Sequence, residues 1–175
     1  KRHYDRNGME HESLQESSHD AWIHLYRPNS YSREVQISYY LEGEMAILCM
    51  DIELRKRSGG EFGMDDIMTS LYHEFKISSS TPGITHSDIK RTIEDLEREN
   101  KFDCPPGEVG LGELLDSLVS ERKVPDTIDA MEKIGFKMVT EKKQDGAWLG
   151  LNMSNSPGVT KVRTHLTGSP CRNDI

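Results

Sequence analysis

A mainly α-helical bundle or array, closed by a short β segment, is the fold class this sequence predicts. Three observations carry the prediction. Apolar residues recur at helical intervals between residues 35 and 57. Thr85-x-x-Asp88 has the spacing of a capping box, with Asp in place of the usual Glu or Gln. After Gly135 the pattern turns to short apolar runs divided by turn residues.

Taken in order, the chain is polar and loop-like through Glu10, and a first helix is predicted from Leu14 to Tyr26. Arg27-Pro28-Asn29 stops it, because proline disfavours helix in the residue before it. A longer helix is predicted from Val35 to Arg57, with Ile37, Leu41, Leu48 and Ile52 on one apolar face, joined by Tyr40, Ile47 and Leu54. Its last turn carries Arg55, Lys56 and Arg57, which suit the negative end of the helix dipole, and Gly59-Gly60 ends it. Asp65 and Asp66 mark the first turn of a third helix, to Phe75. The Thr85 box opens a fourth, to Glu99, and shorter helices follow over Leu111–Glu121 and Asp126–Ile134. Cys104-Pro105-Pro106-Gly107 separates the helical segments. Phe136–Val139, Ala147–Leu151 and Val159–Arg163 read as strands, with a domain boundary near Lys142–Gly146.

Composition narrows the function classes. A net charge of −8 argues against nucleic acid, whose phosphates need a dense Lys/Arg surface. No apolar run approaches the roughly 20 residues that span a bilayer, so no membrane partner is expected. Cys49, Cys104 and Cys171 lie far apart with no C-x-x-C spacing, which argues against a Cys-based zinc site and a disulfide framework. Hydrophobic residues make up 34%, low for a self-sufficient core of 175 residues, and the chain starts at Lys1. Both agree with a piece of a longer protein, whose orphan apolar faces would favour self-association. Localisation stays open.

Asp20-Ala21-Trp22-Ile23, Tyr26-Arg27-Pro28 and Ile37-Ser38-Tyr39-Tyr40-Leu41-Glu42-Gly43 resemble the region downstream of the zinc site in glycyl aminopeptidase-like zinc metallopeptidases of the gluzincin type. In that family a Trp helix and a Tyr-Arg-Pro turn lead into a helix opened by a Ser-Tyr-Tyr-x-Lys-Gly-like sequence. Residues 147–151, Val159–Val162 and Leu166-Thr167-Gly168-Ser169-Pro170 look like the opening of a PDZ domain, with Cys171 where Ala is usual. The resemblance implies a helical carboxy-terminal part of a peptidase catalytic region over residues 1–143. An incomplete PDZ-like domain would follow over 144–175.

The family binds zinc through H-E-x-x-H and a downstream Glu, which needs two imidazoles one helical turn apart. His11-Glu12 and His73-Glu74 start that pattern without the second His, and no pair of histidines is spaced i,i+4. No metal or cofactor is expected in this chain; zinc belongs to the intact parent. Glu16-x-x-His19, half of a carboxylate-bridged metal motif, reads better as an exposed helical face. The resemblance implies that Tyr40 is the oxyanion donor, with Tyr39 as the alternative, although Glu42 stands where the family has Lys. Trp22 and Arg27 read as packing and turn residues, and Gly43 as a point of close helix approach. The expected function is a fragment of a zinc-dependent aminopeptidase that acts on peptides in the intact parent and is inactive alone. The alternative is a non-catalytic helical scaffold or interaction module.

Overall fold

The computed structural model describes residues 7–24, 26–29, 32–76, 83–102, 104–139 and 150–165, with Pro170. A 3-10 turn over Asn7–Glu10 precedes the helices α1 (Leu14–His19), α2 (Ala21–His24), α3 (Ser32–Val35) and α4 (Tyr39–Arg57). There follow α5 (Met64–Glu74), α6 (His86–Asn100), α7 (Leu111–Ser120) and α8 (Thr127–Lys133). Strands β1 (Leu151–Ser156) and β2 (Val159–His165) pair antiparallel as a hairpin. Pro157 and Gly158, the latter at φ 80°, make its two-residue turn. The expected mainly α fold with a short β segment is what the chain adopts.

Local chemistry accounts for most element ends. Ser13 accepts from the Glu16 N–H while the Glu16 carboxylate accepts from the Ser13 N–H, a reciprocal cap that starts α1. Thr85 and Asp88 do the same for α6. At the end of α4, Gly60 N–H reaches Arg55 O at 2.7 Å and Gly59 N–H reaches Lys56 O. That pairing needs a left-handed residue, and Gly59 supplies it at φ 65°.

Four expectations are corrected. The helix predicted from Leu14 to Tyr26 breaks at Asp20, whose φ of −94° and ψ of 11° leave the helical basin. The helix predicted from Val35 begins at Tyr39, because the Ile37 N–H and carbonyl are taken by the side chains of Glu12 and Ser17. Phe136–Val139 is not a strand: Phe136 N–H caps α8 by bonding Met131 O at 3.1 Å. The buried face of α4 is also only partly the predicted one. Ile52 and Leu54 are buried as expected, together with Glu42, Ala46, Cys49, Met50, Glu53 and Arg57, whereas Ile47 and Tyr40 are 48% and 60% exposed. Residues 147–149, the Lys142–Gly146 boundary, Gly168-Ser169 and Cys171 lie outside the described residues.

The main core gathers Met50 and Leu54 of α4, Ile67 and Leu71 of α5, Ile93 of α6, and Leu111 and Leu115 of α7. A smaller cluster joins Cys49 and Ile52 to Ala130 of α8. Burial of this kind is worth roughly 1.5–3 kcal/mol per large aliphatic side chain.

Charge is buried beside this core. Arg57, with only 2% of its side chain exposed, donates to Glu53 at 2.9 Å, Glu97 at 3.2 Å and Glu108 at 3.3 Å. Lys133 of α8 reaches Glu53 at 3.3 Å. Burial pushes the Glu53 carboxyl up, but the hydrogen bond from Arg57 and the charge of Lys133 overcome it and hold the group at about 2.

Replacing Arg57 by Ala leaves Glu53 buried without its main cation, so Arg57→Ala should lower unfolding free energy by about 3–5 kcal/mol in urea titrations. The depressed Glu53 carboxyl also fixes an acid limb. Its stabilisation is complete above the ordinary value of 4.5 and is lost as pH falls towards and through about 2. Urea midpoints measured down that range should fall in the parent and change less in Glu53→Gln.

Candidate functional site

The entry to α4 is set by residues 25 and 20 positions earlier. The Ile37 N–H donates to Glu12 Oε2 at 3.2 Å, and the Ile37 carbonyl accepts from Ser17 Oγ at 3.1 Å. With both backbone groups engaged by side chains, Ile37 cannot join the helical ladder, and its own side chain is only 2% exposed. His24 Nδ1 lies 3.6 Å from the other Glu12 oxygen. Gly8 closes the clamp from outside: a Cβ there would fall 2.6 Å from the Gln36 carbonyl oxygen, backbone that cannot swing away.

Two residues beyond the clamp, Tyr39 and Tyr40 open the helix. Their rings stack with centroids 4.3 Å apart. The Tyr40 and Tyr26 hydroxyls are 3.4 Å apart, and Tyr26 in turn stacks on Trp22 at 5.0 Å. Tyr40 is 60% exposed, Tyr26 53% and Trp22 79%, so this aromatic cluster forms surface rather than core. The packing role expected for Trp22 is therefore corrected, and Arg27 is exposed as well. The Tyr26 and Tyr39 hydroxyls draw the Tyr40 phenol below its ordinary value, against the pull of desolvation. Tyr39 moves the other way, raised by its hydrogen bonds with Tyr40 and then Tyr26. A phenol shifted downwards is a stronger hydrogen-bond donor, and it stands where the helix dipole favours negative charge.

Glu42 is 2% exposed and sits in that same first turn, where a carboxylate also suits the dipole. Gly43 is not a point of close approach among the described residues, since a Cβ there would meet open space.

The remaining candidates are not brought together. Among the described residues, no group of three or more His, Cys, Asp or Glu is placed to hold a metal ion. His11 and His73 are exposed at separate places. Glu16 is committed to Arg122, which meets it with two nitrogens at 2.7 and 3.1 Å. Those bonds, led by the guanidinium, hold its carboxyl at about 2.

The sequence reading missed Glu12, Ser17 and Tyr26 as the residues that place the tyrosines. Their partners lie 14 to 25 residues away, and no local spacing encodes such pairs. The one available signal was Ser13-x-x-Glu16, which fixes α1 and so presents Ser17 inwards.

Residues 1–46 match the family model of the M61 glycyl aminopeptidases. The fold is similar to a solved structure of an aminopeptidase N family protein from Idiomarina loihiensis, with a TM-score of 0.69 and 22% identity. That similarity covers 95% of this chain and 28% of the other, so the chain spans less than a third of the protein it resembles. No curated protein matches the chain. The matched residues 1–46 contain the whole clamp and all four rings of the aromatic cluster. Together the family match and the shared fold support a peptidase-related chain.

The tyrosine geometry makes a spectroscopic prediction. As pH rises, Tyr40 should ionise before Tyr39, and Tyr26→Phe should move the Tyr40 titration upwards. Ring resonances followed by NMR would check this; equal titration of the two rings in both proteins would refute it.

Proposed function

We propose that this chain supplies the oxyanion-stabilising side of a peptidase active site, as the carboxy-terminal part of an aminopeptidase catalytic region. Tyr40 is the donor: its hydroxyl gives a hydrogen bond to the carbonyl oxygen of the scissile peptide as negative charge gathers there. The observation that carries the reading is the exposed Tyr40 phenol at the first turn of α4, paired with Tyr26 at 3.4 Å, inside the segment that matches the peptidase family. Glu12 and Ser17 act as positioning residues, because they fix the strand-like entry from which Tyr40 projects.

Among the described residues no group of three His, Cys, Asp or Glu fits a catalytic zinc. Zinc, as expected from the resemblance, would be held by residues outside this chain, and so the chain alone is proposed to be inactive. Residues 144–175 are proposed as the start of a PDZ-like domain, on the sequence resemblance alone.

A second reading is a scaffold that keeps the peptidase fold without its chemistry. It is favoured by Glu42, an acidic residue 2% exposed where the family carries Lys.

Tyr40→Phe in the complete protein separates the two readings. An oxyanion donor removed from a preorganised site costs about 10²–10³ in kcat, with circular dichroism and thermal midpoint unchanged. Turnover equal to the parent's would establish the scaffold. Tyr39→Phe should cost much less; the reverse ranking would transfer the role to Tyr39.

A further inference from the structure

The carboxylate of Glu12 faces two groups at once. One oxygen accepts the Ile37 N–H at 3.2 Å, the bond that keeps α4 from starting before Tyr39. The other lies 3.6 Å from Nδ1 of His24, the last residue of α2. The Glu12 side chain is 10% exposed and that of His24 48%, so a largely buried carboxylate meets an imidazole that solvent reaches. At 3.6 Å the contact is too long for a hydrogen bond. It becomes an ion pair when the ring takes up a proton, and imidazole is the side chain whose charge changes between about pH 5 and 8.

His24 also stands between the two routes by which the chain places Tyr40. Through Glu12 it bears on Ile37, the clamped residue just before the tyrosines. Along its own segment it lies between Trp22 and Tyr26, which stack on each other, and the Tyr26 hydroxyl is 3.4 Å from that of Tyr40. A pull between His24 and Glu12 therefore draws the Tyr26 segment and the start of α4 together. The other charged groups of this corner are engaged or exposed. Glu16 and Arg122 bond each other, and the Arg122 charge also bears on Glu12. Asp20 is met by His19 at 2.9 Å, and the phenols of Tyr26, Tyr39 and Tyr40 bond among themselves. Glu10, His11 and Arg27 are exposed. Arg122 is thus a permanent cation for the Glu12 carboxylate, and His24 a conditional one.

We infer that His24 is a positioning residue for Tyr40, and that its proton sets how firmly this corner is closed. With the ring charged, Glu12 is held between His24 and the Ile37 amide, and the Tyr26 segment is drawn onto the start of α4. With the ring neutral, the Ile37 bond remains and the pull on the Tyr26 segment is lost. The hold is complete on the acid side of the His24 titration and fades as pH rises through it. Its effect on turnover rests on the oxyanion reading of Tyr40; the closing of the corner does not.

The test is a pH titration of the 175-residue chain, with the His24, Tyr26 and Tyr40 ring resonances followed by NMR. Both tyrosine rings should shift with the midpoint of His24. His24→Gln should remove that step, and His24→Arg, a permanent cation, should hold the tyrosine resonances at their acid-side positions throughout. Tyrosine rings that ignore the His24 midpoint, or that keep the step in His24→Gln, would overturn the inference. The unaltered chain decides it even where a variant does not fold. In the complete protein, His24→Gln should lower kcat about two- to fivefold below the His24 midpoint at unchanged KM, the scale of a half-exposed ion pair. His24→Arg should restore it. An equal loss on both sides of the midpoint would mark a packing role and overturn the inference as well. Tyr40→Phe keeps the two proposals apart. If it leaves turnover unchanged, the catalytic reading falls and the ring titration alone decides the role of His24. If it cuts turnover while the tyrosine rings ignore His24, only the His24 inference falls.

Discussion

The guanidinium of Arg57 is the constraint on which the arrangement of the helices depends. It ends α4 and meets Glu53 on its own helix, Glu97 on α6 and Glu108 in the loop before α7. Through Glu53 and Lys133 the same network reaches α8. A planar cation with five fixed donors can satisfy three carboxylates at once, which a lysine could not do with the same geometry. The apolar cluster of Met50, Leu54, Ile67, Ile93 and Leu111 brings these helices together without direction. The ion network adds direction to α4, α6 and α8, since a shift that separated Arg57 from its carboxylates would leave charge buried and unpaired.

The other end of α4 is held by a different device. There the Ile37 backbone is occupied by Glu12 and Ser17, and the helix starts only where those bonds stop. Tyr39 and Tyr40 are thus the first residues of a long helix whose far end is fixed in the core. Their position is set by the combination of a rigid element and a clamped entry, the arrangement that a hydrogen-bond donor needs in order to act without reorganisation. Glu16 and Arg122 secure the same corner by tying α1 to the segment after α7.

Much of this was legible in the sequence, and the failures have one cause. Thr85-x-x-Asp88, Asp65-Asp66, Gly59-Gly60 and Cys104-Pro105-Pro106-Gly107 act within a few residues of themselves, and the elements they predict are present. The face of α4 was only partly assigned: Ile52 and Leu54 are buried as expected, but so are Glu42, Glu53 and Arg57, which read as surface until their partners are known. The strand expected at Phe136 failed for a related reason: its amide is consumed by the end of α8. Tyr40 could be singled out by resemblance, but its neighbours Tyr26 and Glu12 depend on contacts across the fold.

The Ile37 clamp also makes one backbone amide a reporter on a separate part of the molecule. Most amides of α4 are bonded within the helix and exchange with solvent only when the core opens. The Ile37 amide is bonded instead to a carboxylate 25 residues earlier. Its exchange therefore follows the departure of the Glu12 segment, whatever the helix is doing. Protection at Ile37 compared with protection at Leu54 thus measures how independently the tyrosine corner detaches from the body that carries it.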